Sequence, residues 1–329
     1  MMDRLPRGSL IEFKPERTHL QLFSAFLQDE ISLLENQWTL TIGAKLQHND
    51  YTGFEGQPSV RLLWKPDIRH SAWAAISRAV RTPSRANCCI HAATFNIPPF
   101  TGINRSPAPL SVWLDGNSSF KAEEVWAYEL GYRFTPHPNL GFDLALFHNQ
   151  YDKLRSWNRH RYWLIRSGVS LDAHFASLND LSAAAYGVEL AMDWRPLDRW
   201  SLEATYSYLY LHFATRPSTM STDVGSQPTH QASLRSGFDL TNSLNLDLWL
   251  RYVDQLRLGR TPNPAFHPGI PAYWTLDSRL AWRPLSGLEL SITGQNLLSR
   301  HHVEFVQEAY GPPRMEIPRS FYLQLHWQF

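Results

Sequence analysis

An aromatic residue, one spacer and a proline recur four times in this chain, as Trp64-Lys65-Pro66, Phe134-Thr135-Pro136, Trp194-Arg195-Pro196 and Trp282-Arg283-Pro284. Each copy closes a stretch of alternating apolar and polar residues, and another such stretch follows within a few positions. Strict alternation is the mark of a strand with two unlike faces, so the motif marks the turn between paired strands. A soluble sheet has no reason to put a large aromatic at the same turn each time. A transmembrane β-barrel does, because Trp, Tyr and Phe collect in girdles at the membrane interfaces and short turns join the strands on one side. The opposite connections are long, variable and rich in Pro, Arg and His, which supplies the other rim.

The clearest strand is the last. Phe321, Leu323, Leu325, Trp327 and Phe329 share one face, with Tyr322, Gln324, His326 and Gln328 on the other. A helix repeats near 3.6 residues, and Gln and His between every apolar pair would break its stripe. Trp126, Tyr128, Leu130, Tyr132 and Phe134 alternate with Glu129 and Arg133 in the same way, and Val188, Leu190, Met192 and Trp194 with Glu189, Asp193 and Arg195. Arg or Lys at the bilayer midplane costs about 2 to 4 kcal/mol, so the charged face must point into a wet lumen.

About thirteen strands follow from this reading: 18–31, 37–49, 57–66, 69–79, 121–135, 139–151, 184–195, 199–211, 229–240, 243–255, 272–283, 286–297 and 317–329. Long loops are expected at 80–120, 152–183, 212–228, 256–271 and 298–316, with a tight connection at 50–56. The expected fold class is all-β, an antiparallel transmembrane β-barrel. Thirteen is odd where bacterial single-chain barrels are even, so either one strand is miscounted or strands are absent. The chain enters its first strand almost at once, which favours absence.

Composition agrees. With 13 Trp, 13 Tyr and 17 Phe the chain is aromatic-rich, yet no run of about 18 apolar residues offers a transmembrane helix. A formal charge of +1 gives no sign of nucleic-acid binding. Residues 1–16 lack the apolar core of a secretory signal, so an exported protein would need a leader outside this sequence. Cys88 and Cys89 have the spacing of neither a zinc site nor a disulfide framework and read as incidental.

Three stretches resemble the C-terminal part of the barrel of TonB-dependent outer-membrane receptors. They are Asn117 with Phe120, Lys121, Glu123, Glu124 and the run Ala127 to Arg133; Gly294 to Leu298; and Ile317 to Leu323. The stretch Leu22 to Glu30 also looks like a family strand, so the resemblance covers nearly everything from residue 18. It implies a barrel of about 22 strands, a plug domain and a TonB-contact segment. It also implies import of a ferric siderophore, haem or cobalamin across the cell outer membrane. Against that pattern this sequence is a fragment of about thirteen strands, lacking plug and TonB box, with 1–17 as the remnant of a preceding loop and 18–329 as barrel. The resemblance further implies lipid and lipopolysaccharide as surroundings, TonB as partner, an extracellular iron chelate as ligand, and Phe329 as a signal to the barrel-assembly machinery. A non-transporting gene fragment and a passive porin are the alternatives.

Candidate ligand-binding residues are cationic and aromatic. Arg155, Trp157, Arg159, Arg161 and Trp163 cluster in one long loop, where guanidinium groups suit anionic chelates and aromatic faces stack on planar ones. The alternative is that the Arg side chains contact lipopolysaccharide phosphates and the aromatics form the outer girdle. Arg78, Arg81 and Arg85 stand where a strand enters the longest loop, either lining a vestibule or pairing with Glu129 or Glu189 across the lumen. His301 and His302 lack a third ligand at useful spacing, so no metal site or cofactor is expected. Neither a Gly-x-Ser-x-Gly elbow nor a phosphate-cradling loop occurs, and no catalytic residue is assigned.

Overall fold

The computed structural model describes residues 11–35, 37–101, 104–156, 162–167, 170–214, 227–256, 269–304 and 315–329. The chain begins with β1 (Ile11–Phe13), β2 (Leu22–Leu34), β3 (Trp38–Asn49), β4 (Gly53–Trp64) and β5 (His70–Arg81). A short helix α1 (Arg85–Cys89) leads into β6 (Ile90–Ile97), β7 (Leu110–Asp115), β8 (Glu123–His137) and β9 (Leu140–Ser156). Then come β10 (Tyr162–Ser167), β11 (Ser170–Ala176), β12 (Leu178–Leu197), β13 (Trp200–Phe213), β14 (His230–Asp239) and β15 (Leu244–Val253). The last are β16 (Tyr273–Leu285), β17 (Leu288–Gln295), β18 (His301–His302), β19 (Ile317–Pro318) and β20 (Ser320–Trp327).

Thirteen of these strands form one sheet in the order β2-β3-β4-β5-β8-β9-β12-β13-β14-β15-β16-β17-β20. Every neighbouring pair is antiparallel, and each expected segment coincides with one of these strands. The sheet stays open, with β2 and β20 as its edges, so the wall is an incomplete barrel. Large apolar side chains on the outward face stand exposed, among them Leu130, Tyr186, Leu190, Trp194, Leu234 and Trp282. Among the described residues no helix is long and apolar enough to cross a membrane, which leaves crossing by strands open.

The aromatic-x-proline motif has a common geometry. In each copy the middle residue donates its N–H to the carbonyl just before the neighbouring strand: Lys65 to Gln37 at 2.7 Å, Thr135 to Arg69 at 2.8 Å, Arg195 to Asn139 at 2.8 Å and Arg283 to Ser243 at 2.7 Å. The next residue is the proline, which has no N–H to leave unpaired. In three copies the register then shifts across the proline, between Phe134 and His137, Trp194 and Leu197, and Trp282 and Leu285. A bulge bends its strand and raises the local twist, which turns each chain into its short connection. The aromatics stack sideways along this rim, Trp38 with Trp64 at 5.7 Å and His70 with Phe134 at 4.6 Å between ring centroids.

Two expected loops are corrected by the structure. Within 80–120 and 152–183 lie the helix α1 and the strands β6, β7, β10 and β11, and these four strands join β1 in a second sheet ordered β1-β6-β7-β11-β10. All pairs in it are antiparallel except β7 with β11, which run parallel. These strands are three to eight residues long, too short to cross a bilayer, and a reading tuned to spanning strands passes over them. Cys88 and Cys89 are a second correction, since they form a disulfide with each other at the end of α1.

The two sheets meet at a well-buried junction. Phe120, Ala122, Leu178, Leu181 and Ala183 are all at most 8% exposed there, together with Glu123, Ser156 and Ser177. Asn117 and Asn179 sew the junction. Asn117 donates to the Ser177 carbonyl at 3.0 Å, and Asn179 donates to the Lys121 and Lys153 carbonyls at 3.1 and 2.7 Å. Burying Phe120 alone is worth about 1.5 to 3 kcal/mol. β9 and β12, at 17 and 20 residues, outrun the bilayer to reach this junction.

Candidate functional site

Several charges on the concave face of the wall are paired. Arg133 meets Asp143 at 2.6 Å, Arg251 meets Asp277 at 2.8 Å, and Arg279 and Arg283 share Glu289 at 2.5 and 2.8 Å. A hollow of about 650 Å³ on this face is lined by Arg61, Trp73, Arg133, Glu189, Thr205 and Arg251, among others. Trp73 lies flat across Gly131, its cross-strand partner, where a Cβ would fall 2.1 Å from the ring. The Arg61 guanidinium covers the same ring at 4.2 Å. Glycine is required at 131 by this close approach.

The long-loop rim is organised by the first two residues of β8. Glu124 takes an ion pair from Arg78 at 2.9 Å and another from Lys153. Its buried neighbour Glu123 pairs with Arg81 and accepts the Arg155 N–H at 2.7 Å. Arg81 and Arg155, singled out separately from sequence, thus converge on one carboxylate. Pairing of Arg78 and Arg81 with Glu129 or Glu189 is corrected by the register, which sets Arg81 opposite Glu123 but Glu129 opposite Ala75.

Arg85 sits on α1 and donates to the Pro15 and Glu16 carbonyls at 2.7 and 2.8 Å, with its guanidinium 4.5 Å from the Phe13 ring centre. It clasps the segment after β1 against the rim. Close by, burial pushes the Tyr51 phenol up, which the Arg85 charge partly offsets. Trp163 falls in β10, in register with His174. Trp157, Arg159 and Arg161 lie outside the described residues. His301 and His302 each hold a separate carboxylate, Glu316 at 2.7 Å and Glu304 at 2.8 Å.

Sequence reasoning missed a group on the second sheet. His91 and His174 both turn Nδ1 to Asp115, at 2.6 and 2.8 Å on different carboxylate oxygens. They lie 24 and 59 residues from Asp115, on three strands, so no local spacing announces them.

Residues 6–297 match the family described as TonB dependent receptor-like, beta-barrel. The chain belongs to this family. Among curated proteins none matches it. Solved structures do. A doubly substituted ferric enterobactin receptor, PfeA, from Pseudomonas aeruginosa superposes with a TM-score of 0.76 at 19% identity, over 95% of this chain and 46% of PfeA. The siderophore receptor PirA from Acinetobacter baumannii gives 0.74 at 13% identity, over 98% of this chain and 47% of PirA. The FpvAI–pyocin S2 complex gives 0.69 at 12% identity, over 94% of this chain and 39% of its match. At such identities the likeness is one of fold, and this chain spans about half the length of PfeA or PirA. TonB-dependent receptor barrels sit in the outer membrane and act as transporters, working with TonB and a ligand.

Proposed function

We propose that this chain is the capturing and conducting wall of a TonB-dependent importer for a ferric siderophore or another anionic iron complex. The observation that carries the reading is the barrel-family match over 6–297, on a wall whose concave face is charged and whose long-loop rim bears a second sheet. In this reading residues 18–329 are barrel and 1–17 the end of a preceding loop. Arg81, Arg85, Arg155, Trp157, Arg159, Arg161 and Trp163 meet the chelate at the cell surface. Guanidinium groups grip carboxylate or catecholate oxygens in bidentate pairs, and indole rings stack on flat ligand faces. The ligand then passes the lined hollow under control of a plug and TonB. No bond is made or broken, so the chain is not an enzyme. Phe329 serves assembly into a membrane of lipid and lipopolysaccharide.

Uptake of radioactive iron by iron-starved cells tests this. Deleting the gene is expected to abolish uptake of at least one catecholate, hydroxamate or haem complex, and unchanged uptake of all of them overturns the reading. Replacing Arg155, Arg159 and Arg161 together by Ala is expected to raise the half-saturating ligand concentration at least tenfold without lowering surface expression. The unpaired edges of β2 and β20 favour a second reading, in which these strands conduct nothing until both edges are paired. Conductance of the purified chain in planar bilayers separates the two.

A further inference from the structure

We infer that His91, Asp115 and His174 form a binding site for a divalent transition-metal ion on the second sheet. The placement follows from register. His91 pairs with Asp115 across β6 and β7, and His174 pairs with Trp113 across β7 and β11. Trp113 and Asp115 are two residues apart and so share a face, which brings all four side chains onto one surface. The ligand atoms of the two histidines and the aspartate lie within 4.8 Å of one another. Their side chains are only 23, 12 and 19% exposed in the order His91, His174, Asp115, so the cluster is largely withdrawn from water without being sealed from it.

The donor set suits such an ion. Two neutral imidazoles and a carboxylate are the ligands of three-coordinate protein sites that leave a fourth position for water. Imidazole selects the later first-row metals over Mg²⁺ or Ca²⁺, with Cu²⁺ held tightest and Zn²⁺ among the ions it suits. Two ligands about 2.1 Å from a tetrahedral ion stand about 3.4 Å apart. The present N···O separations of 2.6 and 2.8 Å therefore need to open by less than about 1 Å. Trp113 fixes the planes of both rings, stacking on His91 at 4.6 Å and 16° and on His174 at 5.9 Å and 11°. Rings held in this way lose little freedom when the ion enters. The net charge of the three ligands is −1 with both imidazoles neutral, and a cation offsets it. Occupancy would tie β6 and β7, from the connection after β5, to β11, from the connection after β9.

The test uses the whole chain purified from outer membranes in detergent and stripped with EDTA. Titration with ZnCl₂ is expected to load one ion per chain, and X-ray absorption is expected to show two imidazole ligands. Asp115→Asn and His174→Gln should each weaken binding at least tenfold, while the paired control His301→Gln with His302→Gln leaves it unchanged. Absence of stoichiometric binding, a spectrum without imidazole, or loss of binding only in the control pair overturns the site. The spectrum of the unaltered chain needs no variant to fold. Nothing in the assay depends on uptake, so the importer and the metal site stand or fall separately.

Discussion

Glu123 is the residue on which the long-loop rim turns. It is 7% exposed, pairs with Arg81 and accepts the Arg155 N–H. Glu123→Ala removes the acceptor of that half-buried N–H and should cost about 1 to 3 kcal/mol locally. Faster hydrogen exchange at the Arg155 amide, with the strands below unchanged, is the expected result. Gly131→Ala acts on the opposite principle, because the added methyl lands in the Trp73 ring and must push it off Gly131 and from under Arg61. Overpacking of this kind costs about 1 to 3 kcal/mol, and lower heat resistance in detergent with altered Trp fluorescence would register it. Some of this detail was legible in sequence. The run Gly294 to Leu298 stood out, and the structure gives a reason: Asn296 adopts φ +52°, donates its backbone N–H to the Asp277 carboxylate at 2.9 Å and its side-chain amide to the Ile317 carbonyl at 3.0 Å. The convergence on Glu123 was not legible, because Arg81 and Arg155 approach it from two separate strands.

At the scale of single elements, each strand presents one face to lipid and one to water. Depth then sets the cost of a charge. Leu190→Arg, well inside β12 on the outward face, should destabilise by about 2 to 4 kcal/mol, whereas Trp194→Arg at the short-turn interface should cost about 0 to 1 kcal/mol. Equilibrium urea unfolding in micelles or lipid vesicles measures both, and equal costs would contradict the assigned depths. Strands of this kind were legible because the alternation recurs along a thirteen-stranded sheet, with an aromatic-x-proline stop at four places. β6, β7, β10 and β11 were hidden by their shortness and by flanking prolines and arginines that look like loop. Their histidines were hidden further, since a site assembled across β6, β7 and β11 has no spacing of its own.

For the molecule as a whole, the open edges decide where it is vulnerable. Among the described residues, backbone groups of β2 and β20 that face away from β3 and β17 have no strand partner in the sheet, so their amides should exchange within seconds. Those of β12 and β13, paired on both sides, should resist for hours, and mass-spectrometric exchange of the chain in micelles resolves the difference.

The tripeptide turns carry a wider lesson about tolerance to change. Since the residue before each proline is bonded to the start of the adjoining strand, sliding any of these strands by one position would set an imino nitrogen where a donor is needed. The short-turn rim is thereby locked in phase at these four places. Inserted or deleted residues can be absorbed only at the opposite mouth, which leaves that mouth free to diverge toward new cargo while the foundation stays put.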